Sequence, residues 1–204
     1  TSLIISMTTT IKAIAVADGY NNSSVATAVY SFPVIASSIA ALRNQPADNT
    51  TVYKLDNDAV ITFQQTYRNQ KWLQDVSGGM MIDDFSGVIT GAYNIGDALY
   101  GLVGKLYEYG GMLEFIPVLD TQTVSSTGNV ITPEVVTLAQ LTSNFENYES
   151  ELVKVMGVTF TGATGSFANG TVYPITDAAG TYSFRTTFYD VDYIGTTIPI
   201  SPLV

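Results

Sequence analysis

The chain contains no cysteine and no histidine. Without thiols there is no disulfide, no thiolate zinc site and no cysteine nucleophile. Without imidazole there is no histidine-dependent triad and no histidine metal ligand. Cations are scarce as well: 8 Lys and Arg stand against 18 Asp and Glu in 204 residues, a formal net charge of -10. No run of about 18 apolar residues occurs, so no membrane-inserted helix is expected. Charged residues make up only 13% and apolar ones 46%, which sets the chain apart from disordered acidic segments. The chemistry left open is carboxylate acid–base work, an oxygen-ligand calcium-type site, or binding without reaction.

Strand-formers are abundant. There are 13 tyrosines, threonine is frequent, and the 17 glycines fall mostly in turn contexts such as Asp18-Gly19, Gly110-Gly111 and Asn169-Gly170. Strand-like runs recur every 8–15 residues, the rhythm of an all-β protein of sandwiches or barrels. The chain opens on Thr1 with no signal peptide, as expected of a mature or trimmed piece of an exported protein.

Three segments follow from the pattern. Residues 1–33 read as two strands around the Asp18–Asn22 turn, too few to bury a core alone. Residues 34–119 open with a short helix over 37–43, capped by Ser37 or Ser38. Strands are expected at 52–55, 59–67, 71–75, 80–84, 98–107 and 112–118. Residues 120–204 repeat the plan. Thr137–Leu141 matches Ser38–Leu42 at an offset of 99, Asp177-Ala178-Ala179-Gly180 matches Asp75-Val76-Ser77-Gly78 at 102, and Ile198-Pro199 matches Ile95-Gly96 at 103. A strand over 152–161 is paired by this reading with 59–67. Val204 then corresponds to Gly101, so the second copy is expected to stop before its closing strands. Its open edge would need a neighbouring domain or a second chain to cover it.

Residues 8–30, from Thr8-Thr9-Thr10-Ile11 through Asp18-Gly19-Tyr20-Asn21-Asn22 to Val29-Tyr30, resemble the last third of the chitobiase/β-hexosaminidase C-terminal-like domain, an Ig-like accessory sandwich. Trp72–Ile82, Ile95-Gly96-Asp97, Gly101–Leu106 and Tyr109–Phe115 resemble the OB-fold domain found beside secreted bacterial endonucleases and in secreted proteins and lipoproteins of Bacteroides-type bacteria. Residues 143–204 are similar to a second copy. These resemblances imply an Ig-like hairpin, then a five-stranded Greek-key OB barrel, then a second, incomplete OB-like barrel, with a short helix before each. They imply an extracellular, surface or periplasmic location.

The candidate ligand site is Tyr67, Arg68, Lys71 and Trp72, joined by Tyr107 and Tyr109 from the last hairpin. OB folds bind oligomers across strands 2 and 3 and the adjoining loops. Rings stack on bases or sugar faces, and Arg and Lys hold phosphate or polar groups. Asp75 and Asp177 open Asp-x-x-Gly turns and are expected to bond nearby backbone N–H groups. Asp83-Asp84 and Asp190-Val191-Asp192 are expected as solvated loop acids, because neighbouring strand residues point to opposite faces. No catalytic residue, cofactor or metal ligand is assigned.

Charge speaks against nucleic acid as the main partner. Residues 34–119 hold five basic and nine acidic side chains, and 120–204 hold two and eight. Affinity for nucleic acid rests on neutralising phosphates, and a neutral glycan meets no such penalty. The expectation is a non-catalytic accessory or binding module with a glycan or other oligomer on the OB groove. Single-stranded nucleic-acid binding, a non-catalytic part of a larger secreted nuclease or glycosidase, and purely structural spacing between domains stay open as alternatives.

Overall fold

The computed structural model describes residues 3–121 and 123–200; Val204, the expected counterpart of Gly101, lies outside them. Strand makes up 40% and helix 9%, so the chain is all-β.

β1 (Thr9–Ala13) and β2 (Ala26–Tyr30) form an antiparallel hairpin in the register Thr9↔Tyr30 to Ala13↔Ala26. Tyr20 N–H closes its turn on Ala17 O at 3.2 Å, and Phe32 N–H donates to Thr8 Oγ1 at 3.1 Å. Both strands are exposed along almost their whole length.

β3 (Val34–Ala36) leads into α1 (Ile39–Arg43), which starts where local hydrogen bonding dictates. Ser38 Oγ accepts from Ala41 N–H, Asp75 Oδ2 from Ile39 N–H and Ser77 Oγ from Ala40 N–H, so three open donors of the first turn are satisfied. Five residues are too few for a stable isolated helix. Ile39 and Leu42, 0% and 1% exposed, fasten it to the core. Asp75 is thus the turn aspartate expected from its spacing, and also a cap for the helix.

β4 (Asp48–Leu55) runs into β5 (Asp58–Gln64) across a two-residue bend, making one long curved strand. β6 (Lys71–Asp75) and β7 (Gly78–Ile82) continue an antiparallel meander through the Asp75↔Gly78 turn. β8 (Ala98–Tyr100) and β9 (Val103–Tyr109) pair back along β5 and β4, and β10 (Met112–Pro117) joins β9 antiparallel and β7 parallel. Because β4 continues into β5, the sheet curls back upon itself with OB connectivity. Tyr53, Leu55, Ile61, Leu73, Leu99, Leu106 and Phe115 fill its interior. At about 1.5–3 kcal/mol for each large apolar side chain buried, they dominate its stability. Gly104 is required in β9, because a Cβ there would lie 2.5 Å from Ile116 O and the Phe115 ring.

β11 (Val124–Ser126) lies past the junction expected at 119/120, yet it pairs with β8. Thr90 N–H and Oγ1 also bond the Asp120 carboxylate, so the first sheet extends to Ser126.

The second unit begins with β12 (Glu134–Val136), α2 (Leu138–Ser143) and α3 (Phe145–Tyr148). Thr137 and Gln140 form a capping box on α2. β13 (Val153–Val155), β14 (Thr159–Phe160), β15 (Val172–Asp177) and β16 (Gly180–Arg185) follow. The repeat is written in the pairing: β3 lies parallel to β4 from Val34↔Tyr53, and β12 parallel to β13 from Glu134↔Val153, 100 residues on at both ends. The expected strand over 152–161 breaks at Gly157 (φ +70), and its first half corresponds to β4 rather than to 59–67. The Ile198–Ile95 match does not carry over, since Ile198 is buried in the second core and Ile95 is exposed. Phe160, Phe167, Tyr173, Phe184 and Tyr193 pack mostly edge-on in that core. Among the described residues β16 pairs only with β15.

The two units are docked. Arg43 Nη2 donates to Glu149 Oε2 at 2.6 Å, and Glu149 Oε1 accepts from Leu113 N–H at 2.6 Å. Leu152 N–H donates to Gln74 Oε1 at 3.0 Å, and Tyr189 N–H to Gln65 Oε1 at 2.9 Å. All of β7 is buried, with its core face inside the barrel and Ser150–Glu151 against Gly79.

Candidate functional site

The loop between β5 and β6 is a tight 3-10 turn over Tyr67–Asn69 in which Arg68 and Asn69 both have positive φ, 52° and 49°. Two consecutive non-glycine residues in this region are strained and need outside anchors. Arg68 supplies one: its Nε donates to Asp83 Oδ1 at 2.6 Å and its Nη2 to Asp83 Oδ2. Asn69 supplies the other, with Nδ2 bonded to Asp84 Oδ2 at 2.7 Å and to Ile89 O at 3.0 Å. Asp84 also accepts from Val88 and Ile89 N–H, which shapes the segment after β7. Asp83 and Asp84, each 2% exposed, are therefore buried structural acids rather than the solvated pair expected from sequence. The shift in role follows from the fold, which ends β7 beneath the β5–β6 loop.

Opposite stands the β9–β10 hairpin. Alongside it β4 bulges: Asp48 pairs with Tyr107 and Val52 with Lys105, so extra residues, including Asn49 at φ 55°, push toward the hairpin. Asp48 holds the bulge by accepting from Thr50 and Thr51 N–H, each at 2.8 Å. The Thr51 hydroxyl, which donates to Asp48 Oδ2 at 2.7 Å, and then these two N–H bonds keep its carboxyl well below the usual range.

Between the two loops lies an open groove of about 590 Å³, within the range of small-ligand sites. Tyr67, Phe85, Tyr107 and Tyr109 present partly exposed rings to it. Arg68, the only cation in its lining, lies 4.7 Å over the Phe85 ring with its charge committed to Asp83. Glu114 also lines the groove. It is 6% exposed, its backbone is paired in the sheet, and its carboxylate has no hydrogen-bond partner among the described residues. Burial, and secondarily the charge of Asp83, push its carboxyl above the ordinary value, with Arg68 opposing.

The six residues expected from sequence divide into three places. Tyr67, Arg68, Tyr107 and Tyr109 come together in the groove. Lys71 lies beneath the loop, 4% exposed, with Nζ on Asn69 Oδ1 at 2.7 Å, and burial pulls its amine below the ordinary value. Trp72 stands at the junction of the two units, 5.4 Å from Phe63 and edge-on to Phe188 at 4.9 Å. It lines a second hollow of about 260 Å³ next to the groove.

Sequence reasoning passed over Phe85, Glu114 and Met112. Glu114 had a legible signal: strand alternation places Leu113 and Phe115 opposite it, so a carboxylate inside Met112-Leu113-Glu114-Phe115 marks the outer face of the strand. Phe85 had none, because it lies in a loop after β7.

The groove holds no thiol or imidazole, and no cluster of acids among the described residues is arranged to bind a metal ion. Its chemistry is stacking against flat faces and hydrogen bonding at a carboxyl floor. Comparison with family models, with curated proteins and with solved structures returned no match. The class rests on fold and geometry: an all-β protein whose first unit is an OB-like barrel with a groove between two loops.

Proposed function

We propose that the chain is a non-catalytic binding module that holds a neutral, hydroxyl-rich oligomer, an oligosaccharide, in the groove between the β5–β6 and β9–β10 loops. One observation carries this reading: four exposed rings stand over a floor of buried carboxyls, and the only cation there is already paired. Within this groove a phosphate chain meets Asp83, Asp84 and Glu114 with no free positive charge in the lining to offset them, which works against binding dominated by counterion release. Sugar hydroxyls donate to an unpartnered carboxyl, and pyranose faces stack on tyrosine and phenylalanine. The groove coincides with the loops through which OB folds bind oligomers. The composition, rich in Thr, Ser, Asn and Tyr and poor in Lys and Glu, suits a module of an exported or surface protein.

The test is calorimetric titration with neutral β-linked gluco-, xylo- and manno-oligosaccharides and with single-stranded DNA and RNA, at two salt concentrations. Saccharide binding that ignores salt is expected. Tyr109→Ala and Phe85→Ala should each weaken it about ten-fold, the low end of the about 1–3 kcal/mol that removing a ring costs against a stacked base. Oligonucleotide binding that falls steeply with salt, with no saccharide binding, would replace this reading with the nucleic-acid one.

A further inference from the structure

We infer that the groove does not end with the first barrel: it crosses the junction between the two units, so that the ligand is an extended oligomer of several residues read by both. This rests on the binding reading above. The groove and the second hollow share the walls Tyr67, Gln70 and Met112, which makes them neighbouring segments of one channel. The far bank of the second hollow belongs to the second unit, through Asn169, Arg185 and Tyr189 among others. Tyr189 stacks on Tyr67 at 4.8 Å, so an aromatic surface is continuous across the junction.

The far bank is held in place on both sides of the channel. Gln65 accepts from Tyr189 N–H and Asp190 from Thr66 N–H at the β5–β6 loop, while Glu149 accepts from Leu113 N–H beside the β9–β10 loop. A hinged second unit would present no fixed subsite. This one is anchored through the same loops that frame the first groove. The polar side chains it offers are also free: Asn169 and Arg185 have no side-chain hydrogen bond or ion pair among the described residues, in contrast to Arg68. A linear polymer already bound in the first segment reaches them without a second loss of translational freedom, so each added residue strengthens binding until the channel is filled.

The experiment is a length series of β-linked neutral oligosaccharides of two, four and six residues, titrated into the full chain. Affinity should rise about ten-fold or more from two residues to six. In Asn169→Ala/Arg185→Ala that ratio should collapse toward one. In Phe85→Ala, which alters the first segment alone, both lengths should weaken and the ratio should survive. Emission from Trp72, which lines the second segment, should respond to the six-residue ligand and not to the two-residue one. Affinity flat with length in the wild type, or a ratio unchanged in the double variant, overturns the inference and leaves the first groove standing. Failure of every saccharide at every length overturns both. Unfolding midpoints for all variants separate lost binding from lost fold.

Discussion

Gly79→Ala adds a single methyl group at the junction, and two opposed effects decide its sign. Gly79 is not among the residues with positive φ, so alanine fits its backbone and reduces the freedom of the unfolded chain. That alone stabilises by about 0.4–1 kcal/mol. Against it, the new Cβ would lie 2.5 Å from Ser150 C and O and 2.7 Å from Glu151 N. Ordinary contact begins near 3.4 Å, so the two backbones must part by nearly 1 Å. The obstacle is main chain, which cannot rotate aside as a flexible side chain would. Overpacking of this kind typically costs about 1–3 kcal/mol, so a net loss of about 1–2 kcal/mol is expected. The strain falls on the segment that carries Glu149 and Leu152, the residues that bond Leu113 and Gln74. Denaturant unfolding followed by the emission of Trp72, the only tryptophan, reads the junction directly through its edge-on contact with Phe188. The Trp72 transition should move to lower denaturant, ahead of the far-ultraviolet circular dichroism of the first barrel. Stability equal to or above wild type would refute the close approach of the two units.

Glu114→Gln tests the buried carboxyl. A raised value favours the neutral acid, so the stabilising contribution holds below the ordinary 4.5 and is lost as pH rises through the raised value. The variant should be more stable than wild type at neutral pH, and equal to it in acid, in melts across a pH series; Glu151, shifted the same way by burial, keeps a residual slope in both. Arg68→Met leaves Asp83, 2% exposed, with only Gln70 as a side-chain donor. Breaking a fully buried pair costs about 3–5 kcal/mol; with the Arg68 side chain 34% exposed to screening water, about 2 kcal/mol is expected, together with faster proteolysis in the 67–69 loop. Gly111→Ala meets no atom within 4 Å but forces φ +84 on alanine, so chemical denaturation should show a loss of about 1–2 kcal/mol from backbone strain alone.

Much of the first barrel was legible because its signals are local. Ser38 and Thr137 mark the helix starts, and the Asp-x-x-Gly spacing marks the Asp75–Gly78 and Asp177–Gly180 turns, since caps and turns are bonds among residues two to four apart. Four of the six ring and cation candidates meet in one groove for the same reason: Tyr67 and Arg68 lie in the loop before β6, and Tyr107 and Tyr109 at the tip of the last hairpin. The pairing of β11 with β8, and the division of Trp72 from the tyrosines, were not legible. Trp72 meets Phe188 from the other unit, and no pattern within a dozen residues encodes a contact across 116 positions.

By itself, the order of residues determined an all-β chain with a repeat of about 100 residues, the places where helices and hairpins begin, and the absence of thiol and imidazole chemistry. These follow from side-chain inventory and short-range hydrogen bonding. Tertiary structure alone decided that Asp83 and Asp84 are buried clamps, that Glu114 is a desolvated carboxyl, and that the second unit forms a bank of the channel. The physical reason is that burial and local dielectric are properties of what packs around a group, and here the packing partners come from strands and loops far away in the chain.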